Sequence, residues 1–215
     1  MDGFSDFWGQ TDAVGRAVAL LMLLMSVASW ALMLWKAWVL RRVAADMPRA
    51  LAAFWAAPVW EAGHERLAAL DREGVLVPLL DAAHAQELSG SLGQQVPQVA
   101  QRTRRLREAL QASLAHLRMG QVVLASVGST SPFIGLFGTV WGIYHALVEM
   151  SVSGTMTVDK VSGPVGEALI MTAAGLAVAI PAVLGYNLLG KWIAEAEDHL
   201  EGFAHDLMAA SEQAA

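Results

Sequence analysis

Three side chains have the types and spacing to handle an ion in an apolar setting. Thr139 lies in "SPFIGLFGTVWGIYHALVEM", Ser131 to Met150, and Glu167 and Thr172 lie in "GPVGEALIMTAAGLAVAIPAV", which starts at Gly163. A carboxylic acid at membrane depth is costly and ordinarily faces a protein interior or a water-filled cavity. The alternative for Glu167 is an interfacial acid at a helix N-terminus, favoured by the macrodipole. Hydroxyls at such depth either form a polar band in an apolar lumen or bond their own helix carbonyl four residues back. The spacing of the two threonines leaves both open. Glu167 and Thr172 are five apart, about 140° around a helix, so they do not both face one axis. One of them flanks the lumen or sits at a subunit contact.

Other chemistries lack their residues. With no cysteine there is no thiol nucleophile, disulfide framework or Cys-based metal site. The histidines at 64, 84, 116, 145, 199 and 205 contain no i, i+4 ligand pair. "GSTSPFIGLFGT" is glycine-rich but has no lysine before a Ser or Thr, so it is not a phosphate loop, and no G-x-S-x-G stretch offers a nucleophile elbow. No enzyme activity, metal or organic cofactor is expected. His145, near the end of its apolar run, reads as a packed or interfacial side chain rather than a proton relay.

The elements that must position these residues follow from composition. The chain of 215 residues is 55% hydrophobic and 16% charged, with a mean hydropathy of +0.45, which points to an integral membrane protein. The first apolar run, Ala17 to Leu40, is long enough to cross a hydrocarbon core of about 30 Å. Its interior charge, Lys36, can snorkel to headgroups, and Trp30, Trp35 and Trp38 suit an interfacial belt. The leader "MDGFSDFWGQTD" is acidic where a secretory signal is basic, so the run is expected to be a retained anchor. A second span runs from about Leu124 to Val148 and a third from about Pro164 to Leu189, joined by the short polar turn "SVSGTMTVDKVSG" as an antiparallel hairpin.

Charge gives the orientation. The net charge of −6 argues against nucleic acid as a partner, yet ten of the fourteen Lys and Arg lie between Arg41 and Arg118, all of them arginines. Arg41 and Arg42 directly follow the first span, so the N-terminus is expected outside and the middle segment in the cytoplasm. The expected fold is all-α. It comprises an outer N-terminus (1–15), a first span (16–40) and a cytoplasmic helical region (41–97). A cytoplasmic helix (98–123) follows, running without a break into the second span (124–149), then the outer turn (150–163), the third span (164–190) and a cytoplasmic C-terminal helix (191–215). Two of the three transmembrane helices, the second and the third, thus extend into the cytoplasm.

The soluble part divides near "SGSLGQQVP", with two or three short amphipathic helices before it. After Pro97, apolar residues recur at Val99, Leu106, Leu110, Leu114 and Leu117, with Thr103 filling a step, along one helix face. Arg102, Arg104, Arg105 and Arg107 form a basic cluster around that helix. It reads as a solvated face with intersubunit ion pairs, the alternative being a lipid or nucleotide site. In the second span Ser131, Gly135, Gly138, Gly142 and Ala146 step by three or four, a small-residue stripe that lets helix backbones approach closely. Its expected neighbours are copies of the chain and the chain's own third span. Pro132, Gly175 and Pro181 join it as expected packing positions. Helical rise puts Thr139 about 8 Å and Thr172 about 12 Å from the outer edge of a 30 Å core, one shared level within the error of the boundaries.

"GLFGTVWGIYHAL" followed by "GEALIMTAAGLAVAIPAVLGYN" resembles the ExbB/TolQ proteins, relatives of the flagellar stator subunit MotA. The resemblance covers nearly the whole chain, and "GIYHAL" and "GPVGEAL" are closer to the ExbB branch than to TolQ. It implies a multi-pass subunit of the Gram-negative inner membrane, N-terminus periplasmic and C-terminus cytoplasmic, forming a ring-shaped homopentamer around the single spans of an ExbD-like partner. Membrane lipid surrounds the ring. The implied function is a proton-motive-force-driven motor that energises a TonB-like protein for iron-siderophore and cobalamin uptake, with protons as coupling ion. The family's pore-lining threonines map to Thr139 and Thr172, and its acid near the proton path maps to Glu167. The proton-carrying aspartate belongs to the partner helix. Met171 stands where many members have a small residue, and "GPVGEAL" replaces a more usual run; neither removes a polar position. The alternatives are the TolQ role in outer-membrane constriction and a passive helical scaffold.

Overall fold

The computed structural model describes residues 12–85, 97–153 and 158–213. The break around "SGSLGQQVP", most of the outer N-terminus and the centre of the outer turn lie outside the described residues. Among the described residues six helices follow one another: α1 Ala13–Trp55, α2 Trp60–Leu70, α3 Val77–His84, α4 Gln98–Arg118, α5 Gln121–Ser153 and α6 Val158–Gln213. Among the described residues there is no strand. Helices α1, α5 and α6 are each long and apolar enough to cross a membrane.

The chain packs as two units, one of residues up to Leu34 with Gly120–Asn187, the other of Trp35–Met119 with Leu188 onward. The first unit has a thin core: Val18, Met22, Val127, Met171, Val178 and Ala182 are buried together. Around it, large apolar side chains stay open, with Leu24 67% exposed, Phe133 71% and Val122 77%. Water would not tolerate such a surface, whereas lipid tails or partner helices cover it at no cost.

The second unit is built as soluble proteins are. Leu67, Leu79, Leu80, Leu117 and Leu200 are fully buried, each worth roughly 1.5–3 kcal/mol of transfer free energy. Phe54 of α1 stands edge-on to Trp60 of α2 and to Phe203 of α6, with ring centroids 5.4 and 5.7 Å away. The loop between α2 and α3 is organised by Asp71, whose carboxylate accepts the backbone N–H groups of Val75, Leu76 and Val77 at 3.0, 2.7 and 2.9 Å. Asp46 of α1 accepts hydrogen bonds from both Nε and Nη2 of Arg72 in that loop, at 2.8 and 2.7 Å. This fork holds the Asp46 carboxyl below the usual carboxylate range, the hydrogen bond from Arg72 outweighing burial.

Three expectations are corrected here. The helix from residue 98 does not run unbroken into the second span. It ends at Arg118, and Gly120 adopts φ +88°, a left-handed conformation that suits glycine. A Cβ on Gly120 would also press to 2.7 Å from Leu32 Cδ1. The uninterrupted long helices are therefore the first and the third. Nor does Lys36 snorkel: it is 3% exposed and its Nζ donates to the carbonyls of His116 and Leu117, both at 3.0 Å. These are last-turn carbonyls of α4, where a cation is favoured; the His116 carbonyl also accepts the backbone N–H of Met119 at 3.3 Å. Val99, expected on the buried face of α4, is 53% exposed; the buried face consists of Gln101, Leu106, Ser113, Leu114 and Leu117.

Candidate functional site

The site lies where α5 crosses α6 in the first unit, and glycine makes that crossing possible. A Cβ on Gly135 would stand 2.6 Å from the Met171 carbonyl oxygen and 3.1 Å from Gly175 Cα; one on Gly175 would stand 2.6 Å from the Ser131 carbonyl oxygen. Backbone meets backbone here, and any side chain would force the helices apart. One turn along, Gly138 accepts Met171 and Val18 at 3.1 and 3.2 Å from its added Cβ, and Gly142 accepts Ala168 at 3.1 Å. Gly135, Gly138 and Gly142 of the small-residue stripe are thus met by α1 and α6 of the same chain. Pro132 and Pro181 are half-buried within α5 and α6.

Close approach brings the two hydroxyls together. Thr139 Oγ1 lies 3.2 Å from Thr172 Oγ1, and also donates to the Leu136 carbonyl at 2.6 Å. The backbone bond left open by the spacing is made, at i−3 instead of i−4, and the two hydroxyls also meet each other within one chain. Thr139 is 5% exposed, while Thr172 is half-buried. Since the Thr139 proton serves the backbone, the Thr172 hydroxyl is the natural donor of the pair, which leaves oxygen lone pairs free to accept a further proton donor.

Glu167 does not join them. It is half-buried near the start of α6 and has no hydrogen bond or ion pair among the described residues. The basic cluster divides by exposure: Arg104 and Arg107 face solvent, and Arg104 lies 3.8 Å from Glu108. Arg102 and Arg105 are half-buried, each with its Nε enclosed and unpartnered. His145 pairs with Glu149 at 3.4 Å. Among the described residues no group of three or more His, Asp or Glu is arranged to hold a metal.

Two polar residues escaped the sequence reading. Asp12 and Trp141 hydrogen-bond across 129 positions of sequence at 2.6 Å. Only the acidic leader and a tryptophan in a span hint at them, and neither names the other.

Residues 78–202 match the MotA/TolQ/ExbB proton channel family. The chain belongs to that family. It is 38% identical over 206 residues to the biopolymer transport protein ExbB of Xanthomonas campestris pv. campestris, covering 91% of this chain and 80% of that one. Identity rises to 52% over 102 residues with the ExbB of Neisseria gonorrhoeae, 47% of this chain and 46% of the relative. The Tol-Pal system protein TolQ of Haemophilus influenzae is 56% identical over 66 residues, 31% of this chain and 29% of the relative. Family membership and three apolar helices together describe a multi-pass membrane protein of a proton channel family, which is not an enzyme family.

Proposed function

We propose that this chain is the ring-forming subunit of an ExbB–ExbD-type motor in the inner membrane of a Gram-negative bacterium. A homopentamer encloses the single spans of an ExbD-like partner, and proton flow energises a TonB-like protein for uptake of iron-siderophores and cobalamin. The N-terminus lies in the periplasm and the C-terminus in the cytoplasm. The observation that carries this reading is the Thr139–Thr172 hydroxyl pair, 3.2 Å apart where two largely apolar spans cross. Its free lone pairs suit a protonated carboxylic acid on the partner helix, whereas the deprotonated form meets only apolar wall. Because a charge in hydrocarbon costs several kcal/mol and its neutral form far less, the partner's protonation state changes where its helix prefers to stand. That preference is the conformational work.

In this reading Glu167 flanks the proton path instead of facing the hydroxyl pair, which agrees with the 140° between it and Thr172. Gly135, Gly138, Gly142, Gly175, Pro132 and Pro181 maintain the wall, and of the basic cluster Arg104 and Arg107 provide a solvated face for ion pairs between subunits, with Arg102 and Arg105 half-buried behind them. Protons are the coupling ion and no cofactor takes part.

The test is the double variant T139V/T172V, which keeps shape and deletes both hydroxyls. Siderophore-dependent growth is expected to fall to the level of a strain lacking the gene while the complex still assembles with its partner. Growth at the parental level would leave the chain a passive scaffold. The TolQ relative favours a second reading, a role in envelope constriction. Neighbouring reading frames for an ExbD-like protein and TonB support the first reading; frames for TolR, TolA and TolB support the second.

A further inference from the structure

An indole N–H inside a membrane protein ordinarily finds water or a lipid headgroup. Trp141 of α5 instead donates to Asp12 Oδ2 at 2.6 Å, while Asp12 Oδ1 accepts the backbone N–H of Gly15 at 2.8 Å. One carboxylate thereby ties the first turn of α1 to the flank of α5. Hydrogen bonds to an ionised acceptor are short and about twice as strong as neutral ones. Burial works to raise the Asp12 pKa, but the bonds from Trp141 and Gly15 and the field of His145 leave the carboxyl below its ordinary range. The charged form is therefore the form that holds.

The contact continues to the hydroxyl pair without a gap. Gly138 and Trp141 are three apart and share one face of α5. Against Gly138 lie both Val18, six residues beyond Asp12, and Met171. Val18 and Met171 belong to the same buried cluster, and Met171 directly precedes Thr172.

We propose that Asp12 is a positioning residue: its carboxylate latches α1 onto Trp141, seats Val18 against Gly138, and so holds Thr139 and Thr172 at hydrogen-bonding distance. The consequence for proton coupling rests on the proposed role of the threonines; the geometric claim does not. It can be read directly because the chain has no cysteine of its own. In the full chain, co-expressed with its partner, the reporter T139C/T172C is oxidised in membranes and the initial rate of the intrachain cross-link is measured. Adding D12A or W141F, the latter keeping the ring and removing only the N–H, is expected to slow the cross-link about tenfold, the scale of one charge-assisted hydrogen bond. D12A/W141F together should be no slower than the slower single variant, since both break one contact. Cross-link rates within about twofold of the latched reporter, or losses that multiply in the double variant, overturn the proposal. If D12A fails to accumulate, W141F decides. Uptake that survives T139V/T172V would sink the motor reading and leave the cross-link result standing.

Discussion

The two units of this chain are held by different means. In the first, Gly135 and Gly175 bring backbones together so closely that one added methyl would stand 2.6 Å from a carbonyl oxygen, and large side chains such as Leu24 stay open. In the second, leucines are sealed at 0% exposure, rings meet edge to face, and carboxylates take up loop amides and an arginine fork. The difference follows from the solvent. Lipid tails are as apolar as leucine, so covering a leucine gains nothing there and only close contact and hydrogen bonds bind helices. Water expels leucine, and the second unit uses that.

The sharpest way to break this contrast is a pair of identical truncations. Leu79→Ala in the second unit should cost about 2–5 kcal/mol, read as a fall in the thermal midpoint of the purified protein. Leu24→Ala, 67% exposed in the first unit, should leave the midpoint of the isolated chain near its parental value. Comparable losses at both positions would mean that the first unit is also held by apolar burial.

A single added methyl sharpens the contrast further. Gly135→Ala overpacks a backbone contact and should cost about 1–3 kcal/mol, while widening the Thr139–Thr172 separation. Gly202→Ala, on α6 in the second unit, meets nothing within 4 Å and should stabilise by up to about 1 kcal/mol through helix propensity. Opposite signs for one substitution type in two regions are the expected outcome, measured by unfolding in detergent. A stabilising Gly135→Ala would remove the close-packing argument.

Much of this was legible in the sequence, and the exceptions have physical reasons. The spans were readable because uninterrupted apolar runs of their length have few alternatives. The common level of Thr139 and Thr172 followed from helical rise, since two antiparallel helices of known ends fix depth. That rise says nothing about rotation, so their 3.2 Å contact and the bond to Leu136 were left open. The stop at Gly120 was hidden because one glycine inside a helical pattern is usually tolerated, and the Lys36 ammonium that meets the last-turn carbonyls of α4 lies eighty positions upstream. A still longer separation, 129 positions, hid the Asp12–Trp141 bond. Local pattern gives element type and depth, and only the folded chain supplies partners far apart in sequence.

The smallest expected effect separates the units by acid. Asp46 has its folded pKa lowered, first by the hydrogen bond from Arg72, so its contribution is present above the unfolded carboxylate value of about 3.9 and fades as pH falls through the lower folded value. Arg72 is half-exposed, and solvent and salt reduce what the pair contributes. Protection of the amides of Val75, Leu76 and Val77 and along α1 near Asp46, taken relative to the intrinsic exchange rate at each pH, should therefore fall modestly below about pH 4. D46N should lower that protection at neutral pH and flatten its pH dependence in the second unit, while leaving the acid response around Asp12 and Gly15 as it was. A D46N profile parallel to the parental one would assign the acid response to other groups. Equal changes at Gly15 would mean that the two units do not open independently, which would undo the contrast drawn from their packing.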